Sequence, residues 1–128
     1  MIASPQATHR AIALSELVDV PILIVHVSGR EAVEQIRWGR AHGLPIFAET
    51  CPQYLFLTAA DLGLDDSYQG ARCICSPPPR DASNQEVIWN GLRDGLFTVF
   101  SSDHAPFNFD GSEGKKPGGQ EQPFRHIP

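Results

Sequence analysis

Residues 22–27 (Ile-Leu-Ile-Val-His-Val) make an almost unbroken apolar, β-branched run, and Ser28-Gly29-Arg30-Glu31 follows at once. A strand apolar on both faces belongs in a parallel sheet covered on both sides. The four residues after it have the form of a capping box, Ser28 accepting from first-turn amides and Glu31 reaching back. The helix so opened carries Val33, Ile36 and Ala41, and His42-Gly43 supplies its stop. Residues 45–50 (Pro-Ile-Phe-Ala-Glu-Thr) then read as a second strand. Strand, capped helix and strand in close succession define a βαβ unit, since parallel neighbours need a crossover between them.

The rest of the chain repeats this order around an insertion. Upstream, apolar residues at Ala7, Ala11, Leu14 and Val18 have helical spacing. Residues 51–57 read as extended or looped, and Thr58-Ala59-Ala60-Asp61 as a short helical turn. A short strand is expected within 70–76, ended by Pro77-Pro78-Pro79, which can continue neither a ladder nor a helix. Ser83-Asn84-Gln85-Glu86 resembles a second capping box, opening a helix with Val87, Ile88, Trp89 and Leu92 that stops at Gly95. A strand at 97–101 leads straight into Asp103, and residues 107–128, rich in Gly and Pro, read as a long loop. The order α-β-α-β-(insert)-β-α-β-loop is α/β, with the periodicity of a slice of a β/α barrel over 1–106. A complete barrel takes about 250 residues, and this chain has 128.

Composition removes several function classes. The formal net charge is −5, and Lys115-Lys116 is the densest basic cluster, which argues against nucleic acid or an anionic membrane surface as a partner. No apolar run approaches the roughly 18 residues of a membrane span, and no basic stretch followed by an apolar core marks a secretory signal. Cys51, Cys73 and Cys75 are odd in number, and a disulfide between Cys73 and Cys75 would close almost no loop. Reduced thiols and a cytoplasmic setting are expected.

Two residues finish apolar runs in the way a barrel site requires: His26 after residues 22–25, and Asp103 after 97–102. A neutral imidazole at His26 could bind a metal, or it could hydrogen-bond in the core or cap the following helix. Asp103 could ligate a metal and accept a proton from water, or simply cap a turn. His104 could orient Asp103 or bind substrate, or be an exposed loop residue. Ser76, just before the prolines, offers main-chain polar groups to a planar amide, or is a turn residue. Glu49 could act as acid or base, but a structural hydrogen bond is the stronger reading for a strand carboxylate. Cys51 lacks a recognisable activating histidine, so burial is favoured over a nucleophilic role. Arg80 and Asp81 are expected to pair or to fix the loop after the prolines. Two strand-end donors are too few for a catalytic metal, which takes three protein ligands and an open position.

Val-His-Val-Ser at 25–28, Glu-Thr-Cys-Pro-Gln-Tyr-Leu at 49–55 and Cys-Ser-Pro-Pro-Pro-Arg-Asp at 75–81 resemble the hydantoinase/dihydropyrimidinase branch of the amidohydrolase superfamily. Asn-Gln-Glu-Val-Ile-Trp-Asn-Gly-Leu at 84–92, Ser-Ser-Asp-His-Ala-Pro-Phe-Asn-Phe-Asp-Gly at 101–111 and Phe-Arg-His-Ile-Pro at 124–128 are similar to the same branch. The resemblance implies a (β/α)8 barrel hydrolase with two divalent metals, usually zinc, that opens cyclic amides such as dihydropyrimidines or hydantoins. It implies that His26 closes the sixth strand and ligates one metal. Asp103 would close the eighth, ligate the other and act as general base and then acid. Ser76 would contact substrate through its main chain.

The family's paired histidines from the first strand, carboxylated lysine from the fourth and histidine from the fifth have no counterpart here. The chain therefore resembles a barrel fragment, roughly strands six to eight with their helices. It is expected not to bind both metals or turn over substrate alone. Dihydroorotase, allantoinase and a non-catalytic assembly relative are the competing readings. The sheet left open by the missing half also points to homo-oligomerisation.

Overall fold

A computed structural model describes residues 5–63, 69–106 and 108–109. Helix α1 (Pro5–Val18) leads to strand β1 (Ile22–Ile24), helix α2 (Arg30–Ala41) and strand β2 (Ile46–Thr50). A single helical turn α3 (Gln53–Phe56) and two 3-10 turns (Ala59–Leu62, Gln69–Cys73) follow, then helix α4 (Ser83–Arg93) and strand β3 (Val99–Phe100). The sheet order is β1-β2-β3, all parallel, with Ile24 opposite Ala48 and Glu49 opposite Val99. Both connections within the sheet are helical crossovers, as the βαβ reading requires.

Period-two alternation sorts the strand residues. Ile46 and Ala48 are buried with Ile12 of α1, Val33 and Ile36 of α2 and Ile88 of α4, so the helices cover one face. On the other face Leu23 is 43% exposed and Phe47 44%. Among the described residues the sheet is thus covered on one side only, not on both as the apolar run predicted. Gly39 lets α2 close on β2: a Cβ there would stand 3.1 Å from the Ile46 side chain.

Several local expectations are corrected. The first strand ends at Ile24, not at 27, because the chain turns out of the ladder at His26. Residues 70–76 form no strand; a 3-10 turn occupies Gln69–Cys73. Residues 53–56 are helical rather than extended.

Neither capping box forms on the expected serine. Helix α2 has Gly29 at its N-cap with no side-chain cap of its own, and the Asn84 side chain accepts from the Arg30 amide at 2.8 Å instead. Ser28 Oγ accepts from Arg80 Nε at 3.3 Å. At α4 Asp81, not Ser83, is the acceptor, taking the Ser83 amide at 3.1 Å and the Ser83 hydroxyl. A box does form at Thr58 and Asp61, where a short helical turn was expected. Helix α2 stops at Gly43 (φ +80°) and α4 at Gly95 (φ +75°), as read from sequence. The 107–128 loop falls, Asn108 and Phe109 apart, outside the described residues. No described helix is long and apolar enough to cross a membrane.

Candidate functional site

Because the three strands run the same way, their carboxyl ends lie together, carrying His26, then Glu49-Thr50-Cys51, then Ser101-Ser102-Asp103. The end of β2 is the hub. Its Glu49 carbonyl accepts from the Val27 amide at 2.9 Å, and the buried Thr50 hydroxyl donates to the Val27 carbonyl at 2.8 Å. On the other side the Ser101 amide donates to the Thr50 carbonyl at 3.2 Å. The Glu49 carboxylate spans both neighbours: Oε2 accepts from the His26 amide at 3.3 Å, and Oε1 from the Ser101 hydroxyl. The structural reading of Glu49 is therefore the one observed.

His26 (φ +41°) and Asp103 (φ +45°) both have left-handed backbones. For a residue with a Cβ this costs on the order of 1–2 kcal/mol, although His and Asp enter the region more readily than most. Each therefore turns abruptly out of its strand at the point where its side chain becomes available.

The surroundings are electronegative. Cys51 is fully buried and its thiol is pushed up to about 11, first by burial and then by the Glu49 charge; a Ser101 hydrogen bond opposes this, and Asp103 and Cys75 add to it. At neutral pH Cys51 is a protonated, packed side chain, in line with the inert reading. Burial, reinforced by Cys75, also pushes the Tyr54 hydroxyl up, so it stays a donor, and it donates to the Pro77 carbonyl at 2.9 Å. The Cys75 thiol donates to that same carbonyl at 3.3 Å. These bonds moor the loop bearing Ser76, itself exposed and joined to Pro77 by a cis peptide, against the end of β2. All three cysteines are free thiols.

Asp103 and His104 are exposed. A groove of about 350 Å³ runs along β1 and reaches His26, Ser28 and Pro77. Its walls, including Ala7, Ala11, Ile22 and Ile24, are mainly apolar, and Asp103 does not line it. Among the described residues no group of three or more His, Cys, Asp and Glu could hold a metal ion. The donors present here do not by themselves fit a catalytic metal. Thr50, Tyr54 and Asn84 were not foreseen from sequence; Asn84 had a signal, but one that pointed to the wrong helix.

An α/β layer whose titratable groups gather at the carboxyl ends of parallel strands is the layout of a β/α barrel site. No family model matches the chain. It is 46% identical over 108 residues to a D-hydantoinase of Streptomyces coelicolor, covering 84% of this chain and 23% of that protein. The solved D-hydantoinase of Bacillus sp. AR9 superposes with a TM-score of 0.81 at 43% identity, over 85% of this chain and 24% of that one. The dihydropyrimidinase of Brevibacillus agri gives 0.80 at 44%, over 84% and 23%. The chain belongs to the hydantoinase/dihydropyrimidinase branch, and it spans just under a quarter of the length of these relatives.

Proposed function

We propose that the chain is part of a metal-dependent cyclic amidohydrolase that hydrolyses the ring amide of a hydantoin or a dihydropyrimidine. The observation that supports this best is the agreement of backbone and sequence with the Bacillus D-hydantoinase, TM-score 0.81 at 43% identity, across 85% of the chain. In this reading residues 1–106 are barrel, covering strands six to eight with their helices, and 107–128 form the loop after the last strand. His26 would donate to one of two divalent metals and Asp103 to the other, zinc by family resemblance, with the remaining donors supplied from outside the described residues. Asp103 takes a proton from the attacking water and returns it to the leaving ring nitrogen. The main chain at Ser76 holds the planar amide. The setting is cytoplasmic, and in the chain taken alone the uncovered face with Leu23 and Phe47 favours a homo-oligomer.

Fragment complementation tests this. The chain is mixed with the remaining barrel of a D-hydantoinase from which the matching quarter has been removed, and Zn2+ is added. Hydantoin or dihydrouracil should open in the mixture, not with the chain alone, and Asp103→Asn should abolish turnover. Turnover of dihydroorotate or allantoin instead would move the substrate assignment. Silence toward all four, with both pieces folded and associated, would overturn the reading.

A further inference from the structure

We propose that Glu49 is a positioning residue: its carboxylate, bonded at one oxygen to the His26 amide and at the other to the Ser101 hydroxyl, sets the two flanking strand ends in their left-handed turns. The proposal rests on the reading above in one respect, that His26 and Asp103 are the functional pair.

Three observations converge on Glu49. First, the carboxylate is the one described side chain that hydrogen-bonds to both neighbours of β2 at their carboxyl ends, through Oε2 to His26 N at 3.3 Å and through Oε1 to Ser101 Oγ. Second, the bonds fall at or just before two unfavourable backbones: φ is +41° at His26 itself, and +45° at Asp103, two residues beyond the bonded Ser101. Such conformations persist only where surrounding structure over-determines them. Third, the other bonds of the hub hold neighbouring residues in place without touching the amide of the turned histidine. Val27 N bonds to Glu49 O and Thr50 Oγ1 to Val27 O, both beyond His26, while the ladder ends before it at Ile24. The His26 amide, having lost its strand partner, is held by the carboxylate. A charged acceptor suits this task because its bonds are stronger and shorter than those of a neutral one. Since a single rigid group accepts both bonds, a displacement of one strand end is transmitted to the other.

The test reads backbone geometry in the 128-residue chain, so its failure is separable from failure of the functional reading. A positive φ brings a residue's own amide and α protons close, giving a strong intraresidue NOE at His26 and Asp103 in 15N-labelled protein. Glu49→Ala should weaken this NOE at both residues and speed exchange of the His26 amide about tenfold or more, the scale of losing a protecting hydrogen bond. Glu49→Gln keeps an acceptor for the His26 amide and should restore most of both. Ser101→Ala should disturb Asp103 and leave His26 as it was. If Glu49→Ala unfolds the chain, the Gln and Ser101 variants decide. Unchanged NOEs in Glu49→Ala, or at Asp103 in Ser101→Ala, overturn the proposal whatever the chain's substrate. An intact positioning result with no turnover in the complementation assay would instead retain it and remove the functional pair.

Discussion

Replacing Asn84 with alanine should destabilise helix α2, although Asn84 lies in α4, 54 residues away from the amide it serves. The Asn84 oxygen accepts from Arg30 N at 2.8 Å, its nitrogen donates to Asp81 Oδ2 at 3.1 Å, and the residue is only 8% exposed. It is the side-chain cap that Gly29 cannot provide. Gly29 in turn leaves room for it, since a Cβ there would stand 2.9 Å from the Asn84 oxygen. Loss of a helix cap costs about 1 kcal/mol, with a range of roughly 0.5–2. The buried setting places Asn84→Ala in the upper half of that range, about 1.5 kcal/mol. With an m-value of about 1.5 kcal/mol/M in urea, the unfolding midpoint should fall by about 1 M. Ser28→Ala is the control. With the cap supplied by Asn84, that change removes only the acceptor for Arg80, a long bond at 3.3 Å, and should cost less than Asn84→Ala. Equilibrium urea unfolding followed by far-UV circular dichroism measures both. An Asn84→Ala midpoint equal to wild type, or a reversal of the two variants, would refute the long-range cap.

Gly70→Ala should lose about 3 kcal/mol or more by thermal unfolding, because its Cβ would fall 1.6 Å from the Leu62 carbonyl oxygen and backbone cannot step aside. Cys51 gives a pH dependence. Its folded value of about 11 lies above the ordinary 9.0, so the folded state holds the proton more tightly. The resulting stability is fully present below pH 9 and is lost as pH rises through 11. The urea midpoint of wild type relative to Cys51→Ala should shrink across that window, and a constant difference would count against the burial argument. Asp103→Gly should be more stable than Asp103→Ala by up to about 1 kcal/mol in thermal melts, since glycine enters φ +45° without penalty.

Much of this architecture is legible in the chain because short-range signals dominate it. The apolar runs at 22–24 and 46–50, the helical spacing of Val33 and Ile36, and Gly43 and Gly95 as stops all act within a turn or two of chain. What failed depended mainly on distant partners. Ser28 has the right neighbours for capping, yet Asn84 takes that place from 54 residues away; Ser83 yields instead to a local acceptor, Asp81, two residues before it. The β-branched run through His26 predicts six strand residues and yields three, since the Glu49 carboxylate draws the His26 amide out of the ladder. At the site, His26 and Asp103 were identifiable as strand-end residues. The bridge between their strand ends was not, because nothing local to Glu49 announces that both of its oxygens are engaged.

The left-handed turns at His26 and Asp103 also bear on how this sequence can change over time. At most positions drift is restrained by the fold, and mutations that ignore function still tend to weaken the protein. Here the two pressures are opposed: the backbone alone would reward glycine or asparagine at both places. A lineage no longer selected for chemistry should therefore lose these residues early and gain stability as it does so. On the proposed reading, chemistry and not backbone conformation keeps the pair in place.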